Sequence, residues 1–325
     1  HWALIRIRFE AYYPAFRDIN KANKLLRENA KQFPDFLPTY KDLGLLHASV
    51  GAVPPQFKWG IELFSSLNGS IEEGSKELEL ALSDTTHPFY RETAALYAFL
   101  QLHLQGQPAA AWKTVNKIDL DPRKNKLHCF LLANVAMRSG HNDRALQLLE
   151  QQPRERETLD FAYLDFMFGM AKIRTLDLSA GLYFQSFLSR FNGLHFVKEA
   201  TQKIAWCELL RGDENDYYER LAEVGRRGNA TNGGDANALN ESQRGKPVHL
   251  GLLRARLLFD GAYYQRARQA IDAVDAAQLS AAEKLEHSYR TGRILHGLKD
   301  YTGALSFYER TIAQGQASEL FFACN

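Results

Sequence analysis

Small residues recur along this 325-residue chain at steps of about 35 to 37 positions, and most are followed twelve positions later by a second small residue. The pairs are Ala3 with Ala15, Ala98 with Ala110, Ala133 with Ala145, Gly169 with Gly181, Ala255 with Ala267, and Gly292 with Ala304. A step of that length suits one helical hairpin, helix A and helix B, with a small residue on each helix where the two cross. Two backbones that approach closely leave no room for a larger side chain. A leucine there would cost about 1–3 kcal/mol through overpacking. Gly44 and Ala205 satisfy only the first half of the pattern, because Gln56 and Tyr217 hold their second positions. The expected fold is all-α, a right-handed α-solenoid of about eight hairpins over residues 1–325, each stacked on its neighbours.

Turn residues fall in the same phase. Gly51, Gly106, Gly140, Gly212 and Gly261 lie near where each helix A should end. Two longer steps have separate causes. Between residues 51 and 88 an ordinary helix B is missing. Val53-Pro54-Pro55 stops one helix and starts another, since proline suits a first helical turn. Ser70 with Glu73 makes a capping-box pattern that opens an extra helix over about 71–82, so 54–87 reads as an irregular unit. The stretch 228–246, rich in Gly, Asn and Ser, reads as a polar surface-loop insertion with at most a short turn near Ala236 to Glu241. The phase also places residue 1 inside a helix A, with Trp2 and Ala3 facing the core, and lets Glu319 to Asn325 open another. The expectation is therefore a solenoid truncated at both ends, with any targeting signal lying upstream.

The pattern is that of a tetratricopeptide repeat, clearest in the last unit through Tyr289-Arg290-Thr291-Gly292, Leu298, Asp300-Tyr301, Ala304-Leu305 and Tyr308. Three stretches go further and resemble the tetratricopeptide repeat protein 39 family and its fungal inclusion-body-clearance relatives. One runs from Leu45-Leu46-His47 through Val53-Pro54-Pro55-Gln56-Phe57-Lys58-Trp59-Gly60 to Asn68-Gly69-Ser70 and Gly74. Another joins Tyr163-Leu164-Asp165-Phe166 and Gly169 to Phe187-Leu188, Phe191-Asn192-Gly193 and Ile204-Ala205-Trp206. The third, Leu252-Leu253-Arg254-Ala255-Arg256-Leu257-Leu258-Phe259-Asp260-Gly261-Ala262-Tyr263-Tyr264, is the most specific, because a generic repeat does not require it. The resemblance implies an all-helical adaptor with no known catalytic centre, linked to lipid handling and protein turnover. The 228–246 loop departs from the eukaryotic members, so an exported bacterial relative stands beside a cytosolic eukaryotic one and the compartment stays open.

Composition narrows the function classes. With 45% hydrophobic residues the chain is not a disordered linker. No run of about 18 apolar residues is free of charge, so no membrane-spanning helix is encoded, though peripheral lipid contact stays open. Forty basic against 38 acidic residues leave +2, too little for a nucleic-acid field, and no nucleic-acid partner is expected. Cys129, Cys207 and Cys324 are odd in number and widely spaced, which suits buried thiols better than one disulfide plus a spare. No histidine stands in HExxH or pairs with cysteine at zinc-ligand spacing, and no nucleophile elbow or phosphate-cradling glycine loop occurs. No catalytic residue, metal or cofactor is assigned, and the chain is not expected to be an enzyme. Glu72 and Glu73 suit a helix start. Arg226, Arg227, Arg244 and Lys246 read as solvated surface, with anionic lipid or nucleic acid as the sharper alternative. Phe161, Tyr163, Phe166, Phe168, Tyr183, Phe184, Phe187 and Phe191 read as core between hairpins, with an apolar ligand slot as the alternative.

The inner face of the solenoid is the favoured site. Offsets of minus three, plus one, plus four and plus five from each helix A small residue should face inward. They select Phe99, Leu102 and His103, then Phe130, Asn134, Met137 and Arg138, then Leu252, Arg256 and Phe259, and last Tyr289, Arg293 and His296. Mixed aromatic, amide and basic side chains suit an extended peptide or an acidic tail. The expected function is a non-enzymatic scaffold that binds a peptide or protein partner on this face. The alternative is a carrier of an apolar or lipid ligand held between hairpins near 54–82 or 161–191, and an unrecognised hydrolase ranks last.

Overall fold

The computed structural model describes residues 2–53, 67–153 and 160–316, and every regular element among them is a helix. The chain divides into two compact units, His1–Leu120 and Asp121–Asn325. The first carries α1 (Trp2–Arg8), α2 (Tyr12–Gln32), α3 (Pro38–Gly51), α4 (Ile71–Ala81), α5 (Tyr90–His103) and α6 (Pro108–Val115). The second carries α7 (Lys126–Arg138), α8 (Asn142–Glu150), α9 (Tyr163–Ile173), α10 (Ala180–Arg190), α11 (Val197–Arg211), α12 (Glu214–Glu223), α13 (Gly233–Ser242), α14 (Leu250–Asp260), α15 (Tyr264–Asp272), α16 (Ala281–Gly297) and α17 (Tyr301–Gly315). Among the described residues no helix is long and apolar enough to cross a membrane.

Packing follows chain order. Each helix A packs on its own helix B: α1 on α2, α3 on α4, α5 on α6, α7 on α8, α9 on α10, α11 on α12, α14 on α15, and α16 on α17. Helix B then packs on the next helix A, as α8 on α9 and α15 on α16, and neighbouring A helices touch, as α7 with α9 and α14 with α16. The small residues lie inside these contacts. Ala15, Ala98, Ala133, Ala145, Ala205, Ala255, Ala267 and Ala304 are at most 2% exposed. In the α5–α6 hairpin the buried partner is Ala111 rather than Ala110, because the turn is one residue longer there. Trp2, expected to face the core, is 71% exposed; α1 packs on α2 through its other side. Residues 319–325 lie outside the described residues.

A left-handed residue closes almost every hairpin. Glu10, Gly106, Gly140, Leu176, Gly212, Ala262 and Lys299 all have positive φ, between 59° and 96°. Six of the seven stand seven positions after the helix A small residue, and Gly106 stands eight after Ala98. A left-handed turn directs helix B back along helix A and satisfies the last carbonyls of the first helix. The backbone geometry, not glycine itself, is what repeats. In the α14–α15 turn Gly261 has φ −89° and Ala262 takes the strained position.

The helix expected to open at Ser70 is α4 (Ile71–Ala81), and it is the packing partner of α3. The crossing is made by Gly44 and Gly74, thirty residues apart rather than twelve. A methyl group on Gly44 would come within 2.7 Å of the Gly74 carbonyl, and one on Gly74 within 2.6 Å of the Ala48 nitrogen. The helix start expected at Pro54-Pro55 lies outside the described residues. Ser70 accepts a hydrogen bond from Glu73 N at 3.0 Å, but only half of the capping box forms, because the Glu73 carboxylate turns toward His47. The 228–246 stretch also differs. It is not a solvated loop: it contains α13, which packs on α11.

Two substitutions test this geometry by chemical denaturation. Gly74→Ala is expected to destabilise the chain by about 3 kcal/mol, since the clash is with backbone that cannot rotate away. Lys299→Gly is expected to stabilise it by about 0.5–1 kcal/mol, because relief of a left-handed Cβ strain exceeds the extra glycine entropy.

Candidate functional site

In the second unit, side chains of successive A helices meet in a seam of aromatic rings and cations. Phe130 on α7 packs against Tyr163 on α9, with ring centroids 6.1 Å apart, and Tyr163 stacks on Phe166 at 5.4 Å. Trp206 on α11 lies between two cations: Lys203 Nζ is 3.8 Å from the ring centroid, and the Arg256 guanidinium of α14 is 5.0 Å away. The Arg293 guanidinium of α16 sits 4.5 Å from the Phe259 ring of α14 and 5.7 Å from Tyr289. Cations held on ring faces keep their charge available while the ring fixes their direction.

Several sequence-predicted positions fall on this seam. Phe130, Arg256 and Phe259 are half-buried and Arg293 is exposed; all four touch aromatic rings or cations on a neighbouring helix or loop. Arg138 is exposed at the end of α7 and lies within electrostatic reach of Tyr163 and Arg174. Asn134 is half-buried, and its Oδ1 has no hydrogen-bond partner. His296 is exposed, edge-on to Tyr301 and beside Tyr308. Leu252 is a correction. It is 1% exposed and packs with Ala255, Leu258, Ala267, Ile271 and Ile294 in the core between hairpins. Tyr289, at the same offset, is buried beside Leu285. The offset of minus three points between hairpins in these units, so it supplies packing rather than an open face. Phe99 and His103 stack ring on ring at 5.6 Å in the first unit.

Position-by-position offsets selected Arg256 and Arg293 but missed Lys203, Arg174 and Arg290. Lys203 is buried, donating to Gln202 Oε1 at 2.7 Å and lying 3.5 Å from Glu199. Burial pushes its ammonium below the usual lysine range, and Glu199 opposes the shift. Arg256 reaches Asp260 at 3.8 Å, and Arg290 pairs with Glu286. Arg174, at the end of α9, is different: its Nε and Nη1 are buried with no hydrogen-bond partner, and Asp260, Arg138 and Glu199 are its electrostatic neighbours. An unsatisfied guanidinium in such a place favours a carboxylate or phosphate arriving from outside.

The hairpin turns close one end of this region. Asn142 Nδ2 donates to the Ala171 carbonyl at 2.8 Å and to Tyr263 Oη at 3.1 Å, and Tyr263 donates to Asp143. Arg266 donates to the Thr175 carbonyl at 3.1 Å. Turns about 90 and 120 residues apart in sequence are therefore bonded together. Burial, with the Asp143 bond, pushes the Tyr263 phenol up to about 12. A solenoid whose hairpins touched only their neighbours would lack these bonds.

Helix α13 supports the seam from behind. Glu241 is 4% exposed, and its carboxylate accepts hydrogen bonds from Gln202 Nε2 at 2.7 Å, Trp206 Nε1 at 2.7 Å and Tyr217 Oη at 3.1 Å. Asp235 is fully buried and accepts from the backbone N–H groups of Phe196 at 2.6 Å and Glu199 at 2.9 Å, capping the N-terminus of α11 across 36 or more residues. The sequence signal was present in Tyr217: a phenol where the pattern asks for a small residue marks the place where α13 docks. The basic residues flanking this insertion are partly engaged, since Arg227 donates to the carbonyls of Leu188 and Phe191. Cys129 and Cys207 are buried free thiols, pushed by burial up to about 11 and about 12, so neither is a ready nucleophile. Cys324 lies outside the described residues.

No protein-family model matches the chain, and no curated protein matches it. The site must therefore be read from its own geometry. Glu241→Ala, which strips three buried donors of their acceptor, is expected to cost about 2–4 kcal/mol in chemical denaturation.

Proposed function

We propose that the chain is a non-enzymatic interaction scaffold, a right-handed solenoid of tetratricopeptide type akin to the protein 39 family. Its second unit binds an extended peptide carrying acidic side chains on the helix A face. What supports this most is the seam itself: Arg256 on Trp206 and Arg293 on Phe259, with two nitrogens of Arg174 that have no hydrogen-bond partner in the same unit. The half-buried rings of Phe130 and Phe259 take the apolar parts of a peptide while the cations take its carboxylates, and the arginines, Arg256 on the buried Trp206 among them, are held in place before the ligand arrives.

A lipid carrier is the lesser reading. The rings that would line a slot near 161–191 contact one another, Phe166 lying 5.8 Å from Phe184 and 5.4 Å from Phe187, so the protein's own side chains take that space. Much of the other region, 54–82, lies outside the described residues.

The test is fluorescence polarisation with labelled ten-residue peptides that are acidic, neutral or basic but otherwise matched. The acidic peptide is expected to bind best, and more weakly as salt rises. Arg256→Glu with Arg293→Glu is expected to weaken it by more than about tenfold with the helical circular dichroism intact. Equal binding of all three peptides, or binding that the double variant leaves unchanged, overturns the assignment.

A further inference from the structure

The α3–α4 crossing in the first unit brings one imidazole and two carboxylates together. His47 on α3 is 3% exposed. Its Nδ1 stands 2.6 Å from Glu77 Oε2 and 3.7 Å from Glu73 Oε1 on α4. The three ligand atoms all lie within 4.8 Å of one another. Glu73 and Glu77 are four residues apart, so one face of one helix presents both. His47 Nε2 is buried on the far edge of the ring without a partner, which leaves Nδ1 as the nitrogen that meets the carboxylates.

Glycines build this arrangement. Beyond the Gly44–Gly74 crossing, a Cβ on Gly69 would come within 2.6 Å of His47 Cα and 2.8 Å of its Cβ, and one on Gly51 within 2.5 Å of Ile71 N. The close approach of Gly69 fixes the root of the His47 side chain before any ligand binds. Glu73 gives an independent sign. At α16, Glu283 folds back to its own N-cap, accepting from Ser280 N at 2.9 Å in a full capping box. At α4 the equivalent Glu73 leaves the Ser70 N–H and faces His47 instead. The nearby cations compete weakly: Lys76 is engaged by Glu72 at 2.7 Å, and Arg27 is exposed and turned to Asn68 at 3.4 Å.

We propose that His47 Nδ1 and the carboxylates of Glu73 and Glu77 bind one divalent transition-metal ion of the zinc class, pinning α3 to α4. Metal–ligand bonds of about 2.0–2.2 Å place the ligand atoms around a tetrahedral ion roughly 3.3–3.6 Å apart. The Glu73 distance, 3.7 Å, needs to close by only about 0.1–0.4 Å. The Glu77 contact opens by under about 1 Å as the ion replaces the proton shared with Nδ1, which leaves to solvent. The Glu73 side chain is half-exposed, so water completes the coordination from that side. One imidazole with two carboxylates suits Zn²⁺ or Co²⁺ better than Ca²⁺ or Mg²⁺, which take oxygen ligands alone. The site belongs to the first unit and does not depend on the peptide-binding reading.

Isothermal titration of the full chain with Zn²⁺, after dialysis against a chelator, tests the proposal, with Co²⁺ absorption as a second readout. One equivalent is expected to bind, raise the thermal midpoint and give cobalt d–d bands. His47→Ala and Glu73→Gln are each expected to weaken binding by more than about tenfold. His141→Ala, an exposed histidine outside the cluster, is expected to leave it unchanged. Should His47→Ala fail to fold, Glu73→Gln decides alone, since its side chain is on the surface. No stoichiometric binding, or binding indifferent to Glu73→Gln, overturns the site.

Discussion

Close approach of helix backbones is the constraint on which the rest of this structure depends. An interhelical distance short enough for one hairpin to stack on the next requires that nothing larger than a methyl group stand at the crossing. Ala133 with Ala145 and Ala255 with Ala267 meet that requirement with fully buried methyl groups. Gly44 with Gly74 meets it with bare backbone. Stacking then follows from the apolar surface left on both sides of each hairpin. In the second unit it gathers Phe184, Phe187, Trp206 and Leu257 into one cluster.

The same stacking produces the chemistry. Placing A helices side by side turns one row of each toward its neighbour, and that row carries rings and charges. A charge in so dry a place must be paired or lie on a ring. Lys203 does both, with Gln202, Glu199 and Trp206. Arg174 has no hydrogen-bond partner at two of its nitrogens, which is why it draws attention as a receiving group. Helix α13 resolves the opposite problem. Its two buried carboxylates serve donors that α11 and α12 could not otherwise satisfy: Asp235 the opening N–H groups of α11, and Glu241 the amide, indole and phenol behind the seam.

Much of this was legible in the residues, and the failures share a cause. Six of the eight hairpins obey the paired small-residue pattern, and the two that break it, at Gln56 and Tyr217, are the two that carry long insertions. The helix opening at Ser70 was legible, but the second insertion was misread. Residues 228–246 have the composition of a loop because their polar groups look solvent-bound, yet Asp235 and Glu241 are buried against partners 24 to 39 residues away. Leu252 was placed on the open face by an offset that takes no account of the neighbouring hairpin, which covers it. Glu73 fits a local capping motif, and only His47, 26 positions earlier, draws it elsewhere.

The amino-acid sequence by itself determined the hairpin, its period and the places where the period fails, because those depend on residue size at fixed short spacings along one or two helices. Tertiary structure alone decided which glycine Gly44 would meet, which turns would bond across some 120 residues, and which carboxylates would share His47. Those outcomes depend on distances between helices remote in the chain. Local propensity carries no information about them until stacking has brought the backbones together.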